Sequence, residues 1–191
     1  LLKSNIQESS EEARNKSALA LSRVLPFYQY GDYQKALNGD PTVRVRGEEI
    51  IGLTDIVNKY EGTGAGKASA LYAGNIFLNL DSLSEAKKYF DIASGSDSPT
   101  VVEGANAGLG AVLQAEGKYE HAAAAFEKAY NNAVSDNAKS RYKYYAAVCW
   151  EKAGNKEKAA EIFSDIVVEH EFSEFASLAK QDAKRLGLVI K

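Results

Sequence analysis

The chain repeats a short turn-and-helix motif, and this repetition limits its fold more than any other feature. In each copy a Gly or Asp ends one helix, a polar residue follows, and a new helix begins with an Ala in its first turns. The copies stand at 31–36, 81–86, 117–122 and 154–159. Repetition at a period of 20–50 residues, with two helices per repeat, is typical of a helical solenoid.

Large apolar residues follow the motifs at a constant spacing. Phe90, Phe126 and Phe163 each stand four residues after the Ala of their motif. With the Ala or Ile three residues further on, they fall on one face of a helix, and we predict that this face is buried. Leu53 extends the register upstream, because Leu53 and the three Phe residues are separated by 37, 36 and 37 residues.

The register predicts an all-α fold, with helices at 6–30, 47–60, 64–80, 82–94, 99–116, 119–132, 136–153, 155–170 and 172–186. We expect antiparallel helical hairpins in a right-handed superhelix, and no β-sheet. The last helix is predicted to cap the array. Its apolar residues lie on one side, whereas Lys180, Asp182, Lys184 and Arg185 lie on the other.

The first repeat departs from this pattern between residues 37 and 47. Aligning its turn with its second helix requires about thirteen extra residues. Asn38, Gly39, Asp40 and Pro41 favour a turn, so we expect a loop. Loops of this length within compact repeats are often functional, although a passive insertion is the more common case.

The composition argues against several classes of function. With 23 basic and 26 acidic side chains, the formal charge is -3, so we expect no nucleic-acid partner and no Lys/Arg-rich membrane face. The chain has one Cys and two His, His121 and His170, which we interpret as surface histidines. We therefore expect no metal, no cofactor and no enzymatic activity. Without a run of about 18 apolar residues, the residues shown should not insert into a membrane.

The spacing Gly-x-Tyr-x-x-Ala-x-x-x-Phe-x-x-Ala resembles the second half of the tetratricopeptide repeat. Gly74, Gly110 and Ala147 stand where the first helix of that repeat has a small residue. The resemblance implies one domain over 1–191, with a C-terminal cap at 172–188. Its repeats would span 17–63, including the insertion at 37–47, and then 67–100, 103–136 and 140–173.

Three segments are similar to a group of bacterial envelope tetratricopeptide proteins that accompany the Sec translocon. They read Ala-Leu-Asn-Gly-Asp at 36–40, Gly-Leu-x-Asp-Ile at 52–56 and Tyr-Ala-Gly-x-x-Phe-Leu-Asn-Leu at 72–80. Proteins of that group carry one transmembrane helix before their repeats. The resemblance implies a removed anchor before Leu1 and a location in the periplasm or cell envelope. Without it, the expected location is the cytoplasm.

In the resembling repeats, first-helix residues line a concave groove that binds a polypeptide. This implies an adaptor or scaffold, chaperone-like in the cell envelope, whose partner is a protein or an extended peptide. The corresponding positions are Leu71, Asn75, Asn79, Gln114, Arg141, Tyr144 and Glu151. Asn75 and Gln114 can hydrogen-bond an extended backbone, and Tyr144 is a candidate rigid anchor. The alternative is a structural subunit of an obligate homo- or hetero-oligomer, joined through more than roughly 2,000 Å² of apolar surface.

Overall fold

The structure, a computed structural model, describes the backbone of residues 2–187 and the side chains of residues 10–187. Leu1, before which the anchor is expected, and residue 188 of the expected cap lie outside these ranges. The described part of the chain forms ten helices and two strands. They are α1 (Leu2–Gln29), α2 (Tyr33–Asn38), β1 (Gly39–Val45), β2 (Glu48–Ile51), α3 (Leu53–Tyr60), α4 (Gly64–Asn79), α5 (Leu83–Ser94), α6 (Pro99–Ala115), α7 (Tyr119–Asn132), α8 (Asp136–Lys152), α9 (Lys156–Glu169) and α10 (Glu174–Arg185).

Side-chain caps define where several of these helices begin. The hydroxyl oxygens of Thr63, Ser135 and Ser173 accept hydrogen bonds from the backbone N–H three residues later, at 3.0, 3.1 and 3.2 Å. Such bonds satisfy N–H groups that have no partner within the helix. From α4 to α10, every predicted boundary lies within two residues of the observed one. The all-α class is therefore confirmed.

The expectation of no β-sheet is wrong at one place, because residues 39–51 form a β-hairpin instead of a loop. β1 pairs antiparallel with β2 around Arg46 and Gly47, whose φ angles are 54° and 84°. Positive φ at both residues is the conformation of a tight two-residue turn. The helix expected at 47–60 consequently begins only at Leu53.

The two ends of the hairpin lie next to each other, where α2 ends and α3 begins. Gly52 lies so close to the end of α2 that a Cβ atom there would stand 2.0 Å from the Leu37 carbonyl oxygen. The Thr54 hydroxyl donates to the same oxygen at 2.8 Å. Ala36 in α2 and Leu53 in α3 are both fully buried, and both helices pack on α4. In the sequence register, Ala36 and Leu53 stand where a later motif has the Ala and the Phe of one continuous helix.

Asp40 holds the base of the hairpin through three hydrogen bonds. The Thr42 hydroxyl and backbone N–H donate to its Oδ1 at 2.6 and 3.0 Å, and the Lys35 ammonium lies 2.9 Å from its Oδ2. The bonds from Thr42 and Lys35 lower the pKa of the Asp40 carboxyl to about 2. At the other end of the hairpin, the Arg23 guanidinium of α1 donates to the Glu48 carboxylate.

The chain divides by its contacts into two compact units, an N-terminal unit that ends at Val101 and a C-terminal unit that begins at Val102. In the N-terminal unit α4 packs against α1, α3 and α5. In the C-terminal unit each helix from α7 to α9 packs against the next helix along the chain, and α8 also contacts α10.

The core positions predicted from the register are confirmed. Leu53, Phe90, Phe126 and Phe163 are all buried. The Phe126 ring occupies its place because the facing residue of α6 has no side chain. A Cβ atom on Gly110 would stand 2.8 Å from that ring, closer than carbon atoms pack without strain. Close packing of the two helices therefore explains the small residue of the repeat pattern at this position.

Candidate functional site

The C-terminal unit has an open groove between α6 and α8, with a volume of about 570 Å³. Its walls are mainly apolar. Nine residues line it: the aliphatic Ala107, Ala111 and Val148, the aromatic Phe126, Tyr142, Tyr144 and Tyr145, and the polar Gln114 and Arg141. Three of the seven predicted site residues, Gln114, Arg141 and Tyr144, therefore come together here.

Arg141 is the one charged side chain among the lining residues. Its guanidinium lies over the Tyr142 ring, 4.8 Å from the centroid, and donates a hydrogen bond to the Tyr142 hydroxyl at 3.0 Å. That hydroxyl donates to Glu103 of α6 at 3.1 Å. No carboxylate of the described residues lies within ion-pair distance of Arg141. The groove thus holds a positioned, half-buried cation without a paired anion.

Gln114 adds an amide group on the opposite wall of the groove. The Cys149 thiol donates to its Oε1 at 3.6 Å, and burial raises the pKa of that thiol to about 11. The Gln114 NH₂ group has no hydrogen-bond partner within residues 10–187. It is therefore available to donate to a carbonyl oxygen of a bound chain.

Tyr144 lines the groove but is held mainly by contacts within the unit. Its ring lies 5.5 Å from Phe163 and 5.6 Å from Phe175, and its hydroxyl donates to Asp182 of α10 at 2.7 Å. Burial, and then the bond to Asp182, raise the pKa of Tyr144. Tyr144 therefore supports the wall of the groove, and its hydroxyl is already engaged.

Tyr145 is a groove residue that the sequence interpretation missed. It is more exposed than Tyr144 and lies 5.4 Å from the Phe126 ring.

Val148 lines the groove seven residues after Arg141 and four after Tyr144. The spacing of three, four and seven residues is that of one helical face. The spacing alone could therefore have predicted Val148 as a groove residue.

Glu151 lies outside the groove and forms an ion pair that joins α8 to α10. Both of its carboxylate oxygens accept hydrogen bonds from the Arg185 guanidinium, at 2.6 and 2.7 Å. This bidentate pairing lowers the pKa of Glu151. Arg185 also donates to Asp182, which accepts the hydrogen bond from the Tyr144 hydroxyl. These bonds connect α10 to the groove wall.

The other three predicted residues belong to α4 in the N-terminal unit. Leu71 and Asn75 are half-buried there, and Asn79 is exposed. The Asn75 amide donates to the Tyr28 hydroxyl at 3.5 Å, and the Tyr28 and Tyr72 rings lie 4.8 Å apart. The Asn79 amide donates back to its own helix, at the Asn75 carbonyl. These residues form a separate polar and aromatic face of α1 and α4.

The interpretation of His170 as a surface residue is wrong. His170 is 6% exposed, and its Nδ1 lies 2.7 Å from Oδ1 of Asp136 at the start of α8. It stands four residues after Ile166 and seven after Phe163, the spacing of the buried face, whereas its two flanking Glu residues suggested exposure. His121 is exposed, as expected.

None of the described helices combines the length and the apolar character that crossing a bilayer requires. Within the same part of the chain, no three side chains of the His, Cys, Asp or Glu type come together in a group that could hold a metal ion.

No protein-family model, curated protein or solved structure matches the chain. The interpretation of the groove therefore depends on its own residues and geometry.

Proposed function

We propose that this chain is an adaptor or scaffold of the tetratricopeptide type that binds an extended polypeptide in the groove of the C-terminal unit. One observation carries the proposal: an open, mainly apolar groove with a single unpaired guanidinium and a free amide donor. The superhelical arrangement and a location in the bacterial cell envelope belong to the same proposal. They are supported by the resemblance of the repeat motif and of the segments 36–40, 52–56 and 72–80.

The groove chemistry favours a peptide with both apolar and polar groups. Tyr145, Phe126 and Val148 offer a surface on which one large apolar side chain can be buried, worth about 1.5–3 kcal/mol. The Gln114 amide can donate to a backbone carbonyl, and Arg141 can donate to a carbonyl or a carboxylate. An extended chain presents all of these groups at short intervals.

The ionisable groups of the groove support a binding role more than a catalytic one. The Tyr144 hydroxyl has a raised pKa for the reasons given above, and burial raises the pKa of Tyr142. Both phenols therefore stay protonated at neutral pH, and each already donates a hydrogen bond to a carboxylate. An effective general base needs a pKa near the working pH, and neither phenol meets this requirement.

Selection of displayed 12-residue peptides on the whole protein, followed by fluorescence anisotropy with the strongest synthetic binder, tests the proposal. The double variant Gln114→Ala/Arg141→Gln should weaken binding by about tenfold or more, because it removes the Gln114 amide and the positive charge of Arg141. Tyr144 is left unchanged, since its replacement would disturb the contacts with Phe163 and Asp182.

Lys152→Gln is the matched control. Lys152 is an exposed cation on the same helix that does not line the groove, so its removal should leave the affinity unchanged. A selected peptide that binds the double variant as tightly as the wild type would place the binding site outside the groove.

A further inference from the structure

Among the described residues of the C-terminal unit, the three most exposed large apolar side chains lie in the α7–α8 and α9–α10 connections or directly beside them. Phe172 is 94% exposed, Val134 is 76% exposed and Val168 is 74% exposed. Phe172 and Val134 stand between helices, and Val168 is in the last turn of α9. Side chains this exposed contribute nothing to the core. Single exposed apolar residues are ordinary, whereas a group of them at one place marks an interaction site.

A hydrogen bond brings these two connections together. Nδ1 of His170 lies 2.7 Å from Oδ1 of Asp136. Val134 stands two residues before Asp136, and Val168 and Phe172 stand two residues on either side of His170. Two residues of chain span at most about 7 Å, so the backbones of all three apolar residues lie around this contact, at one edge of the unit. We refer to Val134, Val168 and Phe172 as the edge patch.

The surroundings of the edge patch are acidic. Glu171 and Glu174 are exposed, and neither has an ion-pair partner among the described residues. Asp136 is also exposed, and His170 is its one ion-pair partner among the described residues. Glu169 is different, since the Lys143 ammonium lies 2.6 Å from it. Two carboxylates therefore remain unpaired beside the apolar side chains.

We propose that the edge patch is a second docking site, distinct from the groove, for a polypeptide segment in which Lys or Arg flanks a large apolar side chain. The apolar residue would cover Phe172, and the cations would pair with Glu171 and Glu174. Charge complementarity selects this partner. The same carboxylates repel an anionic lipid surface or a nucleic acid, and two edge patches facing each other would oppose like charges.

The test uses the whole protein and a fluorescein-labelled 12-residue peptide that carries two Phe residues flanked by Lys in a Gly/Ser background. Fluorescence anisotropy should show that this peptide binds the wild type and that added salt weakens the binding. Phe172→Ser and Glu171→Lys/Glu174→Lys should each weaken binding by about tenfold or more. A peptide with Glu in place of Lys should not bind.

Two matched controls separate these effects from general changes. Tyr30→Ser replaces a similarly exposed aromatic residue of the N-terminal unit. Glu120→Lys reverses an exposed carboxylate in the first turn of α7, as Glu174→Lys does in the first turn of α10. Both control variants should bind the peptide as the wild type does, and all variants should keep the helical circular dichroism spectrum.

Three outcomes would overturn the edge-patch proposal. The first is unchanged binding by Phe172→Ser, and the second is equal binding of the Glu peptide. The third is loss of binding in Gln114→Ala/Arg141→Gln alone, which would place the peptide in the groove and leave the proposed function intact. Sedimentation of the unliganded protein adds a further check: self-association that Phe172→Ser abolishes would identify a second copy of the chain as the occupant and contradict the proposal.

Discussion

Phe126 of α7 contacts α6 at Gly110, and each of the two residues limits the size of the side chain that fits at the other. Phe126→Ala should destabilise the protein by about 3–5 kcal/mol, because it leaves a cavity between α6 and α7. Gly110→Ala should cost about 1–3 kcal/mol, because its Cβ would stand 2.8 Å from the ring and force the helices apart. Denaturant unfolding measures both effects.

The double variant Gly110→Ala/Phe126→Ala separates the contact from the general effects of each substitution. With the ring absent, the added methyl group has room and fills part of the cavity. The double variant should therefore be less destabilised than the sum of the single variants. Simple additivity would show that the Gly110 position and the Phe126 ring do not touch.

Asp40 should make the stability of the protein depend on pH in the acidic range. Its pKa is lowered from the ordinary 3.8 to about 2, so the folded state favours the ionised carboxylate. The stabilisation is present above pH 3.8 and is lost as the pH falls through about 2. Asp40→Asn should flatten the decline of the unfolding free energy across this interval.

Asp97→Asn is the control for Asp40→Asn, because Asp97 is exposed and makes no hydrogen bond to another described residue through its side chain. It should leave the pH dependence of the unfolding free energy as in the wild type. The same decline in Asp40→Asn and in the wild type would show that the bonds from Thr42 and Lys35 do not hold the carboxylate in solution.

Single residues also show which properties can be predicted from sequence and which cannot. The sequence predicted that Phe126 is buried, because the spacing of a helical face is local information. It could not predict that the Tyr144 hydroxyl is engaged, because its acceptor Asp182 lies 38 residues later. Nor did it find the pairing of Glu151 with Arg185, 34 residues apart. Such pairs depend on how helices pack, which local periodicity does not specify.

At the scale of elements, helices were predictable and the hairpin was missed. Helix boundaries follow from local capping residues and turns. The hairpin had a signal as well: Val43 and Val45 alternate with arginines before Arg46 and Gly47, a pattern of period two ahead of a tight turn. The turn residues 38–41 by themselves indicate a loop, whereas the alternation that follows them indicates a strand.

Removal of the hairpin should restore one continuous helix. Ala36 and Leu53 are 17 residues apart, whereas Ala86 and Phe90 are four apart, a difference of 13. Deleting residues 40–52 removes 13 residues and returns Leu53 to the spacing of the later repeats. The deletion variant should keep its helical circular dichroism spectrum and melt cooperatively.

Deletion of residues 41–52 is the matched control, because it removes one residue fewer. The helical position of Leu53 then changes by one residue, about 100° around the axis, which takes its side chain off the buried face. This variant should be less stable than the 13-residue deletion by about 2–5 kcal/mol. Equal thermal stability of the two deletions would show that α2 and α3 do not share one helical register.

At the scale of the whole molecule, the C-terminal unit should fold without the N-terminal unit. Two buried clusters of this unit consist of residues between Ala122 and Ala183. A fragment of residues 98–191, which keeps Pro99 at the start of α6, should show a helical circular dichroism spectrum and a cooperative thermal transition. A fragment that is disordered under these conditions would mean that the unit depends on residues before 98.

Within each unit, the packing of helices against the next helix along the chain has a consequence for how the protein acquires its structure. Most contacts of this kind join residues close in sequence, and chains with such local contacts fold in microseconds to milliseconds. Synthesis adds only about 5–20 residues per second. Each helical pair therefore has ample time to form before the next one leaves the ribosome. The nascent chain can bury its apolar faces pair by pair, without waiting for its C-terminus.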